Sequence, residues 1–318
     1  MHLTDLCHDL INIPDQTGAI LLTGLAVDSK RVAAGNLFFA LAGSHRDGRD
    51  FISDAIKAGA AAIVTGMAPL PKDITKPAQQ AAVPILQCEN PRRVMAKMAA
   101  IHWSSQPGMV AAVTGTNGKT STTEFLRQLW QRTTWQAIAV GTLGITGTDM
   151  IKSDGALLSL PPLTTPDSIS LHATLAPLTK AGVTHLALEA SSHGLEQHRL
   201  DGLNIHIAAF TNLSRDHLDH HIDMDRYFAA KHRLFTDLLS EGGAAVINLD
   251  DQYSTAIIDS LQDRSIVIKT FGYAEDADFH ILSITPSGDG LDMKVIYQDQ
   301  IWDIPLALSG TFQAINAL

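Results

Sequence analysis

The sequence predicts an α/β protein built as two domains. Residues 1–95 read as a small N-terminal α/β domain. Residues 96–318 read as a phosphate-loop type α/β domain with a mostly parallel sheet and extra antiparallel strands near its C-terminal end. Three observations carry this expectation. A chain of 318 residues is long enough for about two domains. Short apolar runs alternate with helix-length stretches, the pattern of a parallel sheet covered by helices. The stretch Ala111-Ala112-Val113-Thr114-Gly115-Thr116-Asn117-Gly118-Lys119-Thr120-Ser121-Thr122-Thr123 reads as a buried strand, a glycine turn and the start of a helix.

In the first domain, residues 37–41 form a buried strand, 50–59 a helix closed by Gly59, and 61–65 and 83–86 two more strands. Residues 67–80 are Pro-rich and polar and read as a surface loop. Residues 91–103 read as a helix with Pro91 in its first turn. A linker at 104–108 follows, so the boundary falls between about 90 and 108. In the second domain, the helix that begins at Lys119 runs to about Trp130, and 137–140 is a strand. Residues 143–163 read as irregular. A helix follows with Thr165 as N-cap and Pro166 first, ending at Gly182. Strands at 185–189 and 205–210, a helix at 223–239, and strands at 244–248 and 266–268 continue the alternation. Segments 279–285, 291–297 and 301–308 read as antiparallel strands.

The net charge of −10 argues against non-specific nucleic-acid binding, which relies on a basic surface. A local nest of N–H groups still binds phosphate against the global sign. Two cysteines, Cys7 and Cys88, make no disulfide framework and suit a reducing cytosol. The N-terminus lacks the basic and apolar regions of a signal peptide. No apolar run approaches the ~18 residues of a membrane span. A cytoplasmic protein without membrane insertion is therefore expected.

The glycine turn carries the clearest chemistry. Gly115 and Gly118 permit backbone conformations that let successive N–H groups converge on an anion, and the helix start adds its positive end. Lys119 reaches the outer phosphates of a nucleotide, and the Thr120 and Ser121 hydroxyls stand where a Mg²⁺ ligand belongs. Ligands of open parallel sheets bind beyond the carboxyl ends of the strands, which directs attention to two further stretches. Glu189 ends an apolar strand, and a buried carboxylate needs a partner: Mg²⁺ on the nucleotide, or a nearby Arg. Thr211 to His221 is dense in potential metal ligands. His217 and His221 have the spacing of a zinc pair, but further ligands are not evident, and a single His on a second Mg²⁺ fits better. Two polar clusters, 27–30 and 43–49, also read as plain surface turns, and Lys231 read alone is a surface lysine.

The spelling TGTNGKTS resembles the Mur ligase superfamily and its relative folylpolyglutamate synthetase, enzymes that make amide bonds at the expense of ATP. The ordered set TGTNGKTS, TTPD, EASSHGL-x-QHR, TNLSRDHLDHH and YFAAKHRLF resembles the UDP-N-acetylmuramoyl-tripeptide synthetase family. Those Mur ligases add the third amino acid in peptidoglycan synthesis. The resemblance covers essentially the whole chain, including a uridine-nucleotide domain at DSK…GNLFFALAG…DGRDFI. It implies that Gly115, Thr116, Asn117, Gly118, Lys119, Thr120 and Ser121 bind ATP. Thr120 and Glu189 would hold its Mg²⁺, His217 a second Mg²⁺, and Lys231 would be carbamylated and bear on the metal. Val27, Ser29, His45, Arg46 and Asp47 match positions around UDP. Thr164, Thr165, Ser191, Gln197 and Arg199 match those holding the sugar diphosphate and peptide. Leu163 departs from the family, where Asn commonly precedes Thr-Thr. The implied substrates are ATP, UDP-MurNAc-L-Ala-D-Glu and a diamino acid, meso-diaminopimelate or L-lysine, handled by a monomer. The resemblance also implies a third, C-terminal amino-acid-binding domain beyond residue 318. On that expectation this chain binds its nucleotides without turnover. A nucleotide-dependent switch or kinase shares the phosphate loop but needs neither a uridine domain nor a carbamylated lysine.

Overall fold

The computed structural model describes residues 1–14, 17–43, 46–150, 160, 163–215 and 223–318. Contacts divide the chain into two compact units. One holds Met1–Ser105 with Asp167–Ala176 and Gln197–Gly202. The other holds Gln106–Pro166, Pro177–Glu196 and Leu203–Leu318. Among the described residues no helix is long and apolar enough to cross a membrane.

The first unit contains helix α1 (Leu3–Cys7) and strands β1 (Gly24–Ala26) and β2 (Asn36–Ala40). Helix α2 (Ile52–Lys57), β3 (Ala62–Gly66), α3 (Lys72–Gln80), β4 (Ile85–Cys88) and α4 (Pro91–Trp103) follow. The strands pair in the order β1-β2-β3-β4, all parallel. Strand β2 is buried along its whole length because its alternate side chains enter different cores. Leu37 and Phe39 pack with Leu3, Leu6, Met95 and Met98. Phe38 and Ala40 pack with Ile52, Ala55 and Ile74. Cys7 is a free thiol in the first of these cores, and burial pushes its pKa up to about 11. Helix α4 starts as expected, with Pro91 at its first position and the Asn90 side chain accepting from Arg93 N at 3.0 Å.

The expected loop at 67–80 is instead largely helix α3. Pro71 sits at its N-cap, outside the helix, and Ile74 and Ala78, four apart, form its buried face. Three prolines, Pro69, Pro71 and Pro77, hid that stripe in the sequence, and Pro77 lies inside the helix itself.

The second unit contains β5 (Met109–Thr114), α5 (Lys119–Arg132), β6 (Ala137–Gly141) and β7 (Gly144–Thr146). Helix α6 (Ser168–Lys180) follows, with its residues through Ala176 grouped with the first unit. Then come β8 (His185–Glu189), α7 (Ser192–Glu196), β9 (Ile205–Phe210), α8 (Met224–Arg233) and β10 (Leu239–Asn248). The remainder is α9 (Ser254–Asp259), β11 (Val267–Gly272), β12 (Phe279–Ser287), β13 (Gly290–Tyr297), β14 (Gln300–Leu306) and α10 (Thr311–Ala317). One ten-stranded sheet runs β14-β13-β12-β11-β10-β9-β5-β8-β6-β7. Its strands pair in parallel from β12 through β6. The segments β12–β14 pair antiparallel, as their alternation predicts. They bury Ile281, Leu291, Met293 and Val295 against Ala314 of α10.

Local boundaries differ in instructive ways. The region expected to be irregular contains β7 and a 3₁₀ turn, Thr148–Met150. Thr165 does not cap α6. Asp167 does, its carboxylate accepting from Ser170 N at 3.0 Å, while the Thr165 hydroxyl is committed to Glu189 O at 2.8 Å. The helix expected over 223–239 ends in a π-helical turn, Leu234–Leu238, and Leu239 already begins β10.

Candidate functional site

The second unit assembles its site beyond the carboxyl ends of β5, β8, β6 and β9. Strand β5 is buried from Val110 to Thr114 and delivers the glycine turn to the rim. At Gly118 the backbone takes φ of 90°, a conformation that favours glycine, and a Cβ there would lie 2.3 Å from Asn316 Oδ1 and push it aside. No side chain caps α5, which leaves its first turn the natural seat for an anion. The turn is braced from the end of β9. Thr116 N donates to Asn212 O at 2.8 Å and Asn117 N to Asn212 Oδ1 at 3.0 Å. Thr211 Oγ1 donates to Asn117 O at 2.6 Å.

Two lysines meet on this turn. Lys119 Nζ donates to Gly115 O at 2.8 Å and Thr116 O at 2.9 Å. Lys231, only 2% exposed, donates to the same Gly115 O at 2.7 Å and stands 4.6 Å from the centre of the Tyr227 ring. Tyr227 is itself fully buried, with its hydroxyl 3.2 Å from Thr116 Oγ1. Lys231 is therefore a buried part of the loop's surroundings, not the surface lysine that its own segment suggests.

Glu189, 1% exposed at the end of β8, is held by three donors. Thr120 Oγ1 reaches its Oε1 at 2.9 Å, Thr142 N the same oxygen at 2.8 Å, and Thr142 Oγ1 its Oε2 at 3.1 Å. Gly141 makes room for it: a Cβ there would lie 2.1 Å from Oε1. The Thr120 hydroxyl and the Glu189 carboxylate are hard oxygen donors of the kind Mg²⁺ takes. Thr164 Oγ1 lies 3.2 Å from Thr142 Oγ1. Thr165 Oγ1 lies 2.9 Å from Ser191 Oγ. Thr164 thus reaches toward the carboxylate through Thr142, while Thr165 and Ser191 gather at the main chain of Glu189. Ser121 belongs to the first turn of α5. His217, together with His221 of the zinc alternative, lies outside the described residues. Among the described residues no group of three acidic, His or Cys side chains forms a metal cluster. An apolar recess of about 230 Å³ beside α5, lined by residues such as Phe125, Leu129 and Phe210, carries no charged side chain.

The first unit brings together a different set. Val27 is half-buried against the core. Ser29 opens a 3₁₀ turn capped by Asp28 just after β1. After β2, Asp47 caps the turn Gly48–Phe51 and pairs with the Arg49 guanidinium. That guanidinium holds the Asp47 carboxyl below the usual carboxylate range. Arg46 is exposed, and His45 lies outside the described residues. Gln197 and Arg199 sit near the start of α4. Arg199 Nη2 donates to Gln197 Oε1 at 2.9 Å, and Arg92 Nη1 reaches that oxygen at 3.5 Å. His198 ties the segment down, 2.8 Å from Asn90 Nδ2 and 2.9 Å from Asp201 Oδ2. Burial lowers the Arg199 pKa, Asp167 opposes that shift, and Arg92 adds to it.

Sequence reasoning missed Thr142, Asn212 and Arg92, which hydrogen-bond to residues it had singled out. Thr142 follows β6 and Asn212 nearly follows β9, so the strand-end rule that found Glu189 would have found them. Arg92 had no such signal.

Known proteins resemble this chain along most of its length. The Mur ligase middle domain matches residues 113–318, and the catalytic domain of the Mur ligase family matches residues 21–103. The UDP-N-acetylmuramoyl-L-alanyl-D-glutamate–2,6-diaminopimelate ligase of Bradyrhizobium diazoefficiens is 42% identical over 321 residues, covering 100% of this chain and 63% of the relative. A solved structure of a ligase with the same name superposes with a TM-score of 0.83 at 31% identity, covering 100% of this chain and 62% of that one. The ADP complex of the Thermotoga maritima MurF ligase shares the fold at 20% identity, with a TM-score of 0.58 over 96% of this chain and 62% of that one. The chain thus spans a little under two thirds of the length of these proteins. A braced glycine turn facing a buried strand-end carboxylate, on a sheet that the middle-domain pattern matches from Val113 to the last residue, makes this chain a member of the Mur ligase family.

Proposed function

We propose that the chain carries the nucleotide sites of an ATP-dependent ligase that adds the third amino acid to UDP-MurNAc-L-Ala-D-Glu during cell-wall synthesis in the cytoplasm. The observation that carries this reading is the Thr120 hydroxyl 2.9 Å from the buried Glu189 carboxylate, beside an uncapped helix start and Lys119. The names of the relatives support 2,6-diaminopimelate over L-lysine as the incoming amine.

In this reading residues 115–121 take the ATP phosphates, with Lys119 turning from its loop carbonyls to the outer phosphates. Thr120 and Glu189 would hold Mg²⁺, which when bound would screen the charge between polyphosphate and carboxylate; His217 would serve a second ion. The Lys231 ammonium gives up one proton, the free amine adds CO₂ and a second proton is released, so that a cation becomes a carboxylate-like donor beside Gly115. Val27, Ser29 and residues 45–47 contact the uridine diphosphate. Thr164, Thr165, Ser191, Gln197 and Arg199 orient the sugar diphosphate and peptide. The free side-chain carboxylate of D-Glu attacks the γ-phosphorus of ATP, giving an acyl phosphate and ADP. The amine then attacks the acyl carbon, and phosphate leaves from the tetrahedral intermediate. The protein's contribution is positioning and charge stabilisation.

The test is calorimetry and thermal stabilisation with UDP-MurNAc-L-Ala-D-Glu, with the free dipeptide L-Ala-D-Glu as control, followed by amine-dependent phosphate release with 2,6-diaminopimelate or L-lysine. Stabilisation by the sugar nucleotide and not by the dipeptide is expected of these residues. Equal indifference to both ligands would sink the reading.

A further inference from the structure

Arg92 is the second residue of α4 and is half-buried, and its burial lowers its pKa. A buried guanidinium calls for a counter-charge, yet its partners are neutral. Nη2 donates to Ala42 O at 2.7 Å and Nη1 to Gln197 Oε1 at 3.5 Å. Among the described residues no carboxylate stands within ion-pair distance of it. Another cation, Arg199, shares the same amide oxygen and feels the Arg92 charge. Arg92 also lines a cavity of about 280 Å³ with Ala42, Arg49, Thr65, Gly66 and Asn90. Of the other charges, Arg49 is matched by Asp47, and Asp167 acts on Arg199. The positive charge left over belongs to Arg92, whose planar fork of five N–H donors has only two occupied.

From this juxtaposition we propose that Arg92 is a further substrate-binding residue, its guanidinium taking an oxyanion of the sugar nucleotide beside Arg199. This rests on the sugar-nucleotide reading above and adds a residue to it. Two parts of that substrate offer such an oxyanion, the diphosphate and the peptide carboxylates. A simple structural strap to Ala42 O is the competing role. It would serve folding and leave ligand affinity alone.

The experiment is calorimetric titration of the wild type, Arg92→Met and Arg92→Lys with UDP and with UDP-MurNAc-L-Ala-D-Glu. ATP affinity, which depends on the other unit, and the melting temperature serve as folding controls. Arg92→Met should bind the full sugar nucleotide about tenfold or more weakly, and Arg92→Lys should recover part of that loss, because a point charge replaces a fork. A parallel loss for UDP assigns the diphosphate; retained UDP affinity assigns a carboxylate. Should the Met variant fail to fold, Arg92→Lys decides alone, since it keeps the charge and a donor for Ala42 O. A loss of about threefold or more at unchanged melting temperature supports the contact. Affinities within twofold of the wild type for both ligands overturn it. Failure of the wild type to bind the sugar nucleotide would instead sink the functional reading itself.

Discussion

Lys119 and Lys231 both donate to the main-chain carbonyl of Gly115, whereas Arg92 and Arg199 converge on one side-chain amide oxygen, that of Gln197. In the phosphate loop the cations are held by the backbone whose shape they help to set. The loop is thus organised before a ligand arrives, and braced further by Thr211 and Asn212. In the arginine cluster the acceptor is a neutral amide on a turn, tied down through His198 to Asn90 and Asp201. Asp167 acts on Arg199, and the charge proposed above to await a ligand is that of Arg92. The first arrangement suits an anion of fixed geometry, such as a polyphosphate. The second suits a ligand whose own oxyanion completes the site.

The largest expected effect separates the two sites outright. Lys119→Ala should weaken ATP binding by about a hundredfold or more while sugar-nucleotide affinity stays within about twofold. Titration with each ligand measures this. Equal losses would mean that the sites are not independent.

Acid should act on the arginine unit. His172 is 1% exposed, and neither of its ring nitrogens has a partner. Burial lowers its pKa to about 4, against about 6.5 in an unfolded chain. The unfolded state binds the proton first, so this contribution to stability is complete above about pH 6.5 and is lost as pH falls toward about 4. Between pH 7 and pH 5 the loss is about 2 kcal/mol. Urea unfolding of the wild type and His172→Leu at both pH values tests it, the variant being expected to lose much less on acidification. Identical slopes would rule His172 out as the cause.

A smaller change probes the phosphate side. Thr142→Val removes the hydroxyl bond to Glu189 Oε2 but keeps the N–H bond to Oε1. The loss of about 1 kcal/mol should appear as a several-fold weaker affinity for ATP with Mg²⁺ and as little change without it. Equal changes in both conditions would show that Thr142 does not act through the carboxylate.

The smallest effect is expected at Asp47→Asn. Asn still caps the turn, and only the partly exposed pairing with Arg49 is lost. The Asp47 pKa is lowered. Its contribution is therefore present above the ordinary carboxylate value of about 3.9 and lost as pH falls through the lower folded value. Melting curves of wild type and variant should differ slightly at pH 7 and merge in acid. A gap that widens on acidification would reverse the sign assigned here.

The sequence by itself determined the phosphate loop, the alternation of strands and helices, and the antiparallel end of the large sheet. Each is a property of neighbours in the chain. Glycine conformation shapes the turn, apolar runs make buried strands, and period-two alternation in segments such as 291–297 makes one-sided ones. Only the tertiary structure decided which distant groups meet. Arg92 and Gln197 are separated by 105 positions and Asn90 and His198 by 108. Thr142 reaches Glu189 across 47, because the sheet order sets β6 beside β8. Helix α3 was hidden for the same kind of reason. Pro69, Pro71 and Pro77 argue locally for a loop, and the burial of Ile74 and Ala78 against the rest of the unit outweighs that propensity. Side-chain chemistry announces itself along the chain when consecutive residues perform it. When it depends on strand order, only packing brings the partners within the ~3 Å that a hydrogen bond requires.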